Sequence, residues 1–265
     1  MAVRHFNTAE YPSGCRVYLL PYSSILGKAL SSLMILSLLI LSLGGCSALT
    51  GGHATSSSPD ERQQQAQGQR AYVAIGASDT FGIGTADPYN QNWASDLARE
   101  IGPRYHLINL GIPGAVMSTA TSRELPIALD THPNLVTIWL GVNDIADNVP
   151  LTSYTRDLDV MLSRLQAGAP GVCIAIANIP DLTLLPHFSS FDPQVLHMRI
   201  SSYNAAIADR VQQHHVILVD LAAYNTEIKK HPEYLSNDGF HPNELGYSKL
   251  AELFYQVLQR AHVLA

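Results

Sequence analysis

Four short segments of the chain carry residue types that could perform acyl transfer. Residues 76–82 read Gly-Ala-Ser-Asp-Thr-Phe-Gly, so Ser78 stands between glycines, just beyond an apolar run. A serine hydroxyl at such a turn is a candidate nucleophile when a base lies nearby. The segment is not a GxSxG elbow, and it lacks the glycine spacing and the lysine of a phosphate-binding loop. Taken alone, Ser78 also fits an ordinary turn serine or a helix cap.

Two further segments supply candidate hydrogen-bond donors. Residues 109–115 contain Gly111 and Gly114, and a glycine lets a ligand oxygen approach its backbone N–H closely. Residues 141–144 read Gly-Val-Asn-Asp, and the side-chain amide of Asn143 is a donor of the same kind. Each segment alone is equally compatible with a plain turn, or with an Asx turn at Asn143.

The fourth segment, residues 238–242, reads Asp-Gly-Phe-His-Pro. Pro242 disfavours helical backbone at His241 and is suited to the first turn of the last helix. Asp238 lies three residues before His241 and can reach back to orient its Nδ1 atom. A pair with this spacing occurs often by chance, so alone it predicts only a surface contact.

Five apolar runs predict the sheet that must position these residues. The runs are nearly continuous and rich in β-branched residues, as in parallel strands that are buried on both faces. They span residues 71–75, 105–110, 135–140, 172–177 and 216–221. Apolar residues with helical spacing alternate with them at residues 93–101, 154–165, 200–211 and 250–258. This alternation predicts a three-layer αβα domain with a doubly wound, five-stranded parallel sheet of the flavodoxin-like kind.

The carboxyl ends of the predicted strands explain why the four segments belong together. Ligands of doubly wound sheets bind beyond these ends. Three of the segments follow the first three strands, and the fourth precedes the last helix. Acyl transfer requires a nucleophile, a base, an orienting carboxylate and donors for the oxyanion. The four segments together contain every one of these parts.

These four segments resemble the four conserved blocks of the SGNH, or GDSL, hydrolase family. The resemblance extends from about residue 71 to the C-terminus, and the Gly-x-Asn-Asp and Asp-x-x-His blocks are its most specific parts. One residue departs from the pattern, because Ala77 stands where the family commonly has an aspartate between glycine and serine. That position holds no proton and makes no oxyanion contact in the mechanism, so we expect the change to be tolerated.

The resemblance implies a role for each site residue. Ser78 is the nucleophile, His241 its general base, and Asp238 the carboxylate that holds the histidine tautomer. The oxyanion donors are the N–H of Ser78, the N–H of Gly114 and the side-chain amide of Asn143. Of the two glycines in the second block, Gly114 is assigned this role. Serine acyl chemistry of this type needs no cofactor.

The function implied is a carboxylic ester hydrolase, and its substrate stays open. The family covers esters of acyl lipids and O-acetyl groups of carbohydrates. The apolar loop at residues 182–191 either lines an acyl pocket or packs on the core. Ala77 alone favours an alternative, a catalytically inactive surface lipoprotein that uses the fold as a binding module. A flavodoxin-like nucleotide-binding protein would share the architecture, but this chain lacks a phosphate cradle.

Charge and composition exclude other partners. The chain has 16 Lys plus Arg against 22 Asp plus Glu, a net charge of -6, and its basic residues form no cluster. Nucleic acid is therefore not predicted as a partner. The sequence contains no CxxC, HExxH or similar spacing of metal ligands, so no metal site is predicted.

The N-terminal segment reads as a targeting signal. Residues 29–43 are strongly apolar and follow Lys28. A helix of this length spans roughly 22 Å, short of the roughly 30 Å hydrocarbon core, which favours a signal peptide over a membrane span. Residues 43–46 read Leu-Gly-Gly-Cys and resemble the lipobox of bacterial lipoproteins, which implies that Cys46 is lipidated and becomes the new N-terminus.

The predicted organisation therefore has three parts. Residues 1–45 form a signal peptide with a lipobox, residues 46–70 a flexible linker rich in Ser, Gln and Gly, and residues 71–265 the hydrolase domain. The lipid would hold the protein at a membrane outside the cytoplasm. A plain secretory signal, which would release a secreted protein, and an uncleaved membrane anchor are the alternatives.

Overall fold

Five parallel strands form one sheet in the computed structural model, which describes residues 69–264. The strands are β1 (Arg70–Gly76), β2 (Tyr105–Asn109), β3 (Leu135–Trp139), β4 (Cys173–Ala177) and β5 (Ile217–Val219). Their order in the sheet is β2-β1-β3-β4-β5. The winding direction reverses between β1 and β3, so the switch point where ligands bind lies at the ends of these two strands. The predicted doubly wound sheet is confirmed.

Helices cover both faces of this sheet. They are α1 (Ser78–Phe81), α2 (Trp93–Ile101), α3 (Met117–Thr119), α4 (Leu125–Asp130), α5 (Val142–Ala146), α6 (Leu151–Gly168), α7 (Pro193–His214), α8 (Asn225–Lys230) and α9 (Glu244–Arg260). A single π-helical turn, Ala120–Glu124, joins α3 to α4. The four predicted helices are confirmed as α2, α6, α7 and α9, while the shorter helices α1, α3, α4, α5 and α8 were not predicted.

The start of the last helix differs from the prediction. Pro242 does not open α9, which begins at Glu244. Asn243 caps it instead, because its side-chain oxygen accepts hydrogen bonds from the N–H groups of Leu245 and Gly246. Pro242 lies one residue earlier and pairs with Leu235 in an isolated antiparallel bridge. The proline therefore closes the hairpin that carries His241 rather than starting the helix.

Two apolar clusters, one on each face of the sheet, form the core. On one face α6 and α7 pack against the sheet together with α3 and α4. On the other face α2 and α9 cover it, and the indole of Trp93 stacks on Phe254 with ring centroids 4.4 Å apart. All residues of β3 and β4 are buried, as their continuous apolar runs predict. The middle of the sheet therefore holds the strand ends in fixed positions.

The segments predicted as a signal peptide, a lipobox at Cys46 and most of a linker lie outside the described residues. Among the helices of residues 69–264, none has the length and apolar character needed to cross a membrane. The first strand, β1, begins at Arg70.

Candidate active site

Ser78 lies in a tight turn between β1 and α1. The strand ends at Gly76 and the helix begins at Ser78, whose side chain is buried. A Cβ atom at Gly76 would lie 2.0 Å from Thr80 Oγ1 and 2.9 Å from the carbonyl oxygen of Trp139. Only glycine fits there, because any side chain would collide with the first turn of α1. The packing of this turn therefore fixes the position of the Ser78 hydroxyl.

The structure brings Ser78, His241 and Asp238 into one line of hydrogen bonds. The Nε2 atom of His241 lies 2.9 Å from Ser78 Oγ, across 163 positions of the chain. Its Nδ1 atom lies 2.6 Å from Oδ2 of Asp238. With Nδ1–H donating to Asp238, Nε2 accepts from the Ser78 hydroxyl, which is the arrangement in which histidine takes up the serine proton.

Asp238 is held in its ionised form by the donors around it. Ser236 Oγ and the N–H groups of Phe240 and His241 all donate to its Oδ1, at 2.8 to 2.9 Å. Burial raises the pKa of Asp238, but the hydrogen bonds from His241, Ser236 and these two amides outweigh it and hold the pKa well below its usual range. The carboxylate thus stays charged and opposite the imidazole.

A short hairpin presents Asp238 and His241 to the sheet. The bridge between Leu235 and Pro242 closes the hairpin, and the N–H of Ser236 donates to the carbonyl of His241 at 2.8 Å. The loop that follows β4 packs against the hairpin, and its His187 ring stacks on Phe240 with ring centroids 4.8 Å apart. The apolar loop at residues 182–191 therefore packs against the segment that carries the histidine.

Hydrogen bonding and packing of the backbone near the second block distinguish the roles of the two candidate glycines, Gly111 and Gly114. The N–H of Gly111 donates to Asn109 Oδ1 at 3.0 Å, and a Cβ at Gly111 would lie 2.5 Å from the backbone nitrogen of Phe81. Gly111 therefore serves the packing of the serine turn. Within residues 69–264 the N–H groups of Gly114 and Ser78 donate to no protein acceptor. These two N–H groups remain available to a ligand oxygen.

Asn143 and Asp144 join the second block to the third. The Asn143 side-chain amide donates to the carbonyl of Ala115 at 2.9 Å, which orients the amide and leaves its second N–H available. Both carboxylate oxygens of the buried Asp144 accept the N–H of Met117 at 3.1 to 3.2 Å. Burial raises the pKa of Asp144 to about 6, and this hydrogen bond partly offsets it. Asp144 thus ties the start of α3, next to Gly114, to the end of β3.

Glu124 supports the serine turn through a hydrogen bond to the backbone of Gly76. Sequence reasoning did not identify this residue. It ends the π-helical turn, and its Oε2 accepts the N–H of Gly76 at 2.9 Å. Its Oε1 is buried with no hydrogen-bond partner among the described residues. Burial raises the pKa of Glu124 to about 8, and the hydrogen bond from Gly76 only partly offsets it. The group is therefore largely neutral at pH 7.

Two cavities and a groove lie around the serine turn, and adjacent spaces share lining residues. Asp79, the residue after Ser78, borders both cavities, and Gly114 borders the groove. A largely apolar cavity, here called the side cavity, encloses about 90 Å³ and is bordered by Asp79, Val142, Leu182, Leu185, Phe240 and Pro242. A smaller cavity runs from Asp79 and Val142 to Asn143 and Ala115. An open groove, here called the polar groove, continues past Gly114 to Ser118, Ser122 and Arg123. The apolar loop at residues 182–191 both lines a cavity and packs on the core. Leu182 and Leu185 border the side cavity, while Phe188 is buried in the core.

Other chemistries find less support in the described part of the chain. Among residues 69–264, no group of three or more His, Cys, Asp or Glu side chains is arranged to hold a metal ion.

Asp79 is a further residue that sequence reasoning did not single out, although it directly follows the serine. A charged residue next to a candidate nucleophile is the only signal in the sequence that could have identified it.

Comparison with known proteins gives one consistent picture. The GDSL-like Lipase/Acylhydrolase family model matches residues 74–249. An arylesterase from Vibrio mimicus is 26% identical over 184 residues, which cover 68% of this chain and 84% of that protein. The crystal structure of TesA aligns with a TM-score of 0.61 at 19% identity, covering 72% of this chain and 99% of TesA.

A carbohydrate esterase has the same fold. The Clostridium thermocellum family 3 carbohydrate esterase aligns with a TM-score of 0.58 at 22% identity, covering 74% of this chain and 99% of that one. At this identity the two solved structures show a shared fold alone. They span the β1-to-α9 domain almost completely, so the fold of the described residues corresponds to nearly the whole length of both proteins.

We expect Glu124→Gln to reduce the pH dependence of stability. In the folded protein Glu124 keeps its proton up to a pKa of about 8, whereas the unfolded chain loses it near 4.5. The free energy of unfolding therefore falls as the pH rises between these values, because the unfolded state binds fewer protons. Glutamine still accepts the Gly76 N–H but cannot ionise.

Urea denaturation at pH 6 and pH 8 measures this difference. The wild type should lose on the order of 2 kcal/mol more stability than Glu124→Gln over this interval. Asp79 and Asp144, whose pKa values are raised to about 6, titrate mostly at or below its lower end. Glu244→Gln, at an exposed carboxyl at the start of α9, is the matched control and should behave as the wild type does. Equal losses in wild type and Glu124→Gln would contradict this account.

Proposed function

We propose a catalytic mechanism for this chain, which belongs to the GDSL-like lipase/acylhydrolase family and is accordingly a carboxylic ester hydrolase. In this mechanism Ser78 is the nucleophile, His241 the general base and Asp238 the carboxylate that orients the base. The observation that carries the proposal is the unbroken line from Ser78 Oγ to His241 Nε2 at 2.9 Å and from His241 Nδ1 to Asp238 at 2.6 Å. Nucleophilic acyl transfer needs this order of groups.

The reaction then proceeds in two steps. Ser78 Oγ attacks the ester carbonyl carbon as its proton passes to His241 Nε2, and the carbonyl electron pair moves to the oxygen. The tetrahedral intermediate expels the alcohol oxygen, which takes the proton from Nε2 and leaves an acyl-serine. Water then gives a proton to Nε2 and attacks the acyl carbon. The second intermediate releases the carboxylic acid and returns the proton to Ser78.

The negative charge on the carbonyl oxygen is stabilised by three donors in this mechanism. They are the N–H of Ser78, the N–H of Gly114 and the second amide hydrogen of Asn143. Support comes from the two backbone N–H groups, which have no acceptor in the described part of the chain, and from the contact that holds the Asn143 amide against Ala115. Donors positioned before the reaction need no reorganisation when the charge develops.

The ester is drawn from acyl esters or O-acylated carbohydrates. The similar proteins include an arylesterase and a carbohydrate esterase, and the apolar side cavity beside Ser78 fits an acyl group. No observation favours an inactive binding module. Ala77 is buried, and its small side chain belongs to the apolar cluster on one face of the sheet. The two bonds of the Ser78–His241–Asp238 line are made without it.

We further propose that the protein works outside the cytoplasm, held to a membrane by a lipid on Cys46. Support comes from the sequence alone, through the apolar segment at residues 29–43 and the Leu-Gly-Gly-Cys pattern that ends at Cys46. Processing at Cys46 would leave 13 Lys plus Arg against 21 Asp plus Glu, and this net charge of -8 would not draw the protein to an anionic membrane surface, so the lipid has to supply the attachment.

Active-site labelling tests the role of Ser78. A fluorophosphonate probe should label the wild-type protein, and a panel of p-nitrophenyl esters should be hydrolysed. Ser78→Ala should abolish labelling and reduce kcat by at least about a thousandfold, because the covalent step is lost. Ser118→Ala, in the polar groove, is the matched serine control and should still be labelled. Hydrolysis that survives in Ser78→Ala would contradict the mechanism.

Loss of an oxyanion donor should appear in kcat. We expect Asn143→Ala to lower kcat roughly a hundredfold or more with little change in KM, because the amide acts on charge that exists only in the transition state. Asn134→Ala is the matched control, since this asparagine lies at the other end of β3 and accepts the N–H of Ala71 there. A loss below about threefold in Asn143→Ala would remove this residue from the proposed donors.

Membrane attachment through Cys46 can be tested in a bacterial host. The full chain should incorporate an alkyne-labelled fatty acid and sediment with membranes, whereas Cys46→Ser should do neither. Cys15→Ser is the control that should keep both properties, because Cys15 lies in the segment that processing at Cys46 would remove. A Cys46→Ser protein that retains the label would show that the lipid is attached elsewhere.

A further inference from the structure

The side cavity contains a buried carboxyl group that the catalytic mechanism does not use. Asp79 directly follows the nucleophile, and its residue surface is only 9% exposed. It borders both the side cavity and the smaller cavity that leads to Asn143. A residue in this place faces whatever part of an ester extends from Ser78 into the side cavity. The inference therefore rests on the proposed function and concerns the substrate of that same site.

The Asp79 carboxyl lacks a protein partner suited to its charge. Within residues 69–264 no other side chain donates a hydrogen bond to it. Burial raises the pKa of Asp79 to about 6, while the nearby His241 lowers it and Asp238 raises it further. Its own backbone N–H is the one donor that acts on it, so most of its hydrogen-bonding capacity is unused in the empty site, and a ligand that brings a further donor would lower the cost of burying the carboxyl.

The rest of the side cavity offers little other polar chemistry. Leu182, Leu185 and Phe240 form much of its wall. Two other charged residues border it, and of these Lys249 is paired with Glu252 at 2.7 Å. Glu227 belongs to α8 and contacts Lys230. The cavity therefore suits an apolar group with one hydrogen-bond donor near Ser78, rather than a group that is polar throughout.

The acyl part of the ester is the part that fits this cavity. At about 30 Å³ for each group the size of a water molecule, a cavity of about 90 Å³ has room for about three such groups, enough for a short acyl chain. The acyl group stays bound through both steps, whereas the alcohol must leave after the first. The polar groove beyond Gly114 is the more open side and carries Arg123, Ser118 and Ser122, so it suits the departing alcohol.

We propose that Asp79 is a specificity-determining residue that selects acyl groups with a hydroxyl or ammonium donor close to the ester carbonyl. The donor lies near the carbonyl and not at the chain end, because Asp79 is adjacent to Ser78 and borders the passage from the side cavity to Asn143. Both donors satisfy the carboxyl by the same hydrogen bond. The hydroxyl and ammonium donors differ in charge, so a series of substrates can distinguish between them.

Three methyl esters of equal chain length test the proposal in a pH-stat at pH 7.5. They are methyl butanoate, methyl 3-hydroxybutanoate and methyl 3-aminobutanoate. In the wild type, kcat/KM for at least one donor-bearing ester should exceed that for methyl butanoate by about tenfold or more, the effect of pairing a buried polar group. Asp79→Leu, which fills the site with an apolar side chain, should bring this ratio to about one or invert it.

A second variant separates the two donors. Asp79→Asn keeps an acceptor oxygen and loses the negative charge, so it should retain part of a hydroxyl preference and lose an ammonium preference. Asp209→Asn is the matched control, because this exposed carboxylate pairs with Arg210 and Gln213 on α7, outside both cavities. The control should show the same substrate ratios as the wild type.

The outcomes distinguish this inference from the proposed function. If the wild type hydrolyses all three esters with similar kcat/KM, or if Asp79→Leu leaves the ratios unchanged, the role of Asp79 is overturned while the hydrolase mechanism stands. If no ester in a broad panel is cleaved and the fluorophosphonate does not label Ser78, both are overturned. Fluorophosphonate labelling of Asp79→Leu verifies that this variant has folded with a working nucleophile.

Discussion

The hydrogen bond between His241 Nε2 and Ser78 Oγ is the contact on which the site depends. It joins two units that are built separately, a turn at the end of β1 and a hairpin that precedes α9. The sheet fixes the turn, since Gly76 accepts no side chain and Glu124 holds its N–H. The loop after β4 and the cap of α9 fix the hairpin. Much of the fold therefore serves to hold the turn and the hairpin in positions that place Ser78 Oγ 2.9 Å from His241 Nε2.

The sequence predicted the elements whose signals are local and continuous. The buried strands were predicted because their apolar runs are unbroken. The candidate site residues were proposed because three segments with suitable chemistry follow the first three strands and a fourth precedes the last helix. The paired α3 and α4 were missed for a physical reason. The π-helical turn between them shifts the helical period, and Pro126 stands where the period would continue. Glu124 was missed with them, because its partner Gly76 is 48 positions away.

The acidic residues around the site differ in protonation because they differ in partners. Asp238 accepts four hydrogen bonds and remains a carboxylate. Asp144 and Glu124 are buried and accept hydrogen bonds from backbone N–H groups alone, and burial raises both pKa values. These neutral or weakly acidic groups hold backbone segments together at the strand ends. The side-chain type alone therefore does not reveal the role, which follows from the number of donors that folding supplies.

The spacing of Asp238 and His241 has a consequence for how activity is lost under stress. The two residues lie three positions apart on one closed hairpin, whereas Ser78 belongs to the sheet. A displacement of the hairpin would move His241 and Asp238, the proposed base and its carboxylate, as an intact pair and would break only the hydrogen bond to Ser78. Mild heating would then inactivate the enzyme at a temperature below that at which the sheet unfolds. Cooling would restore activity without refolding of the sheet.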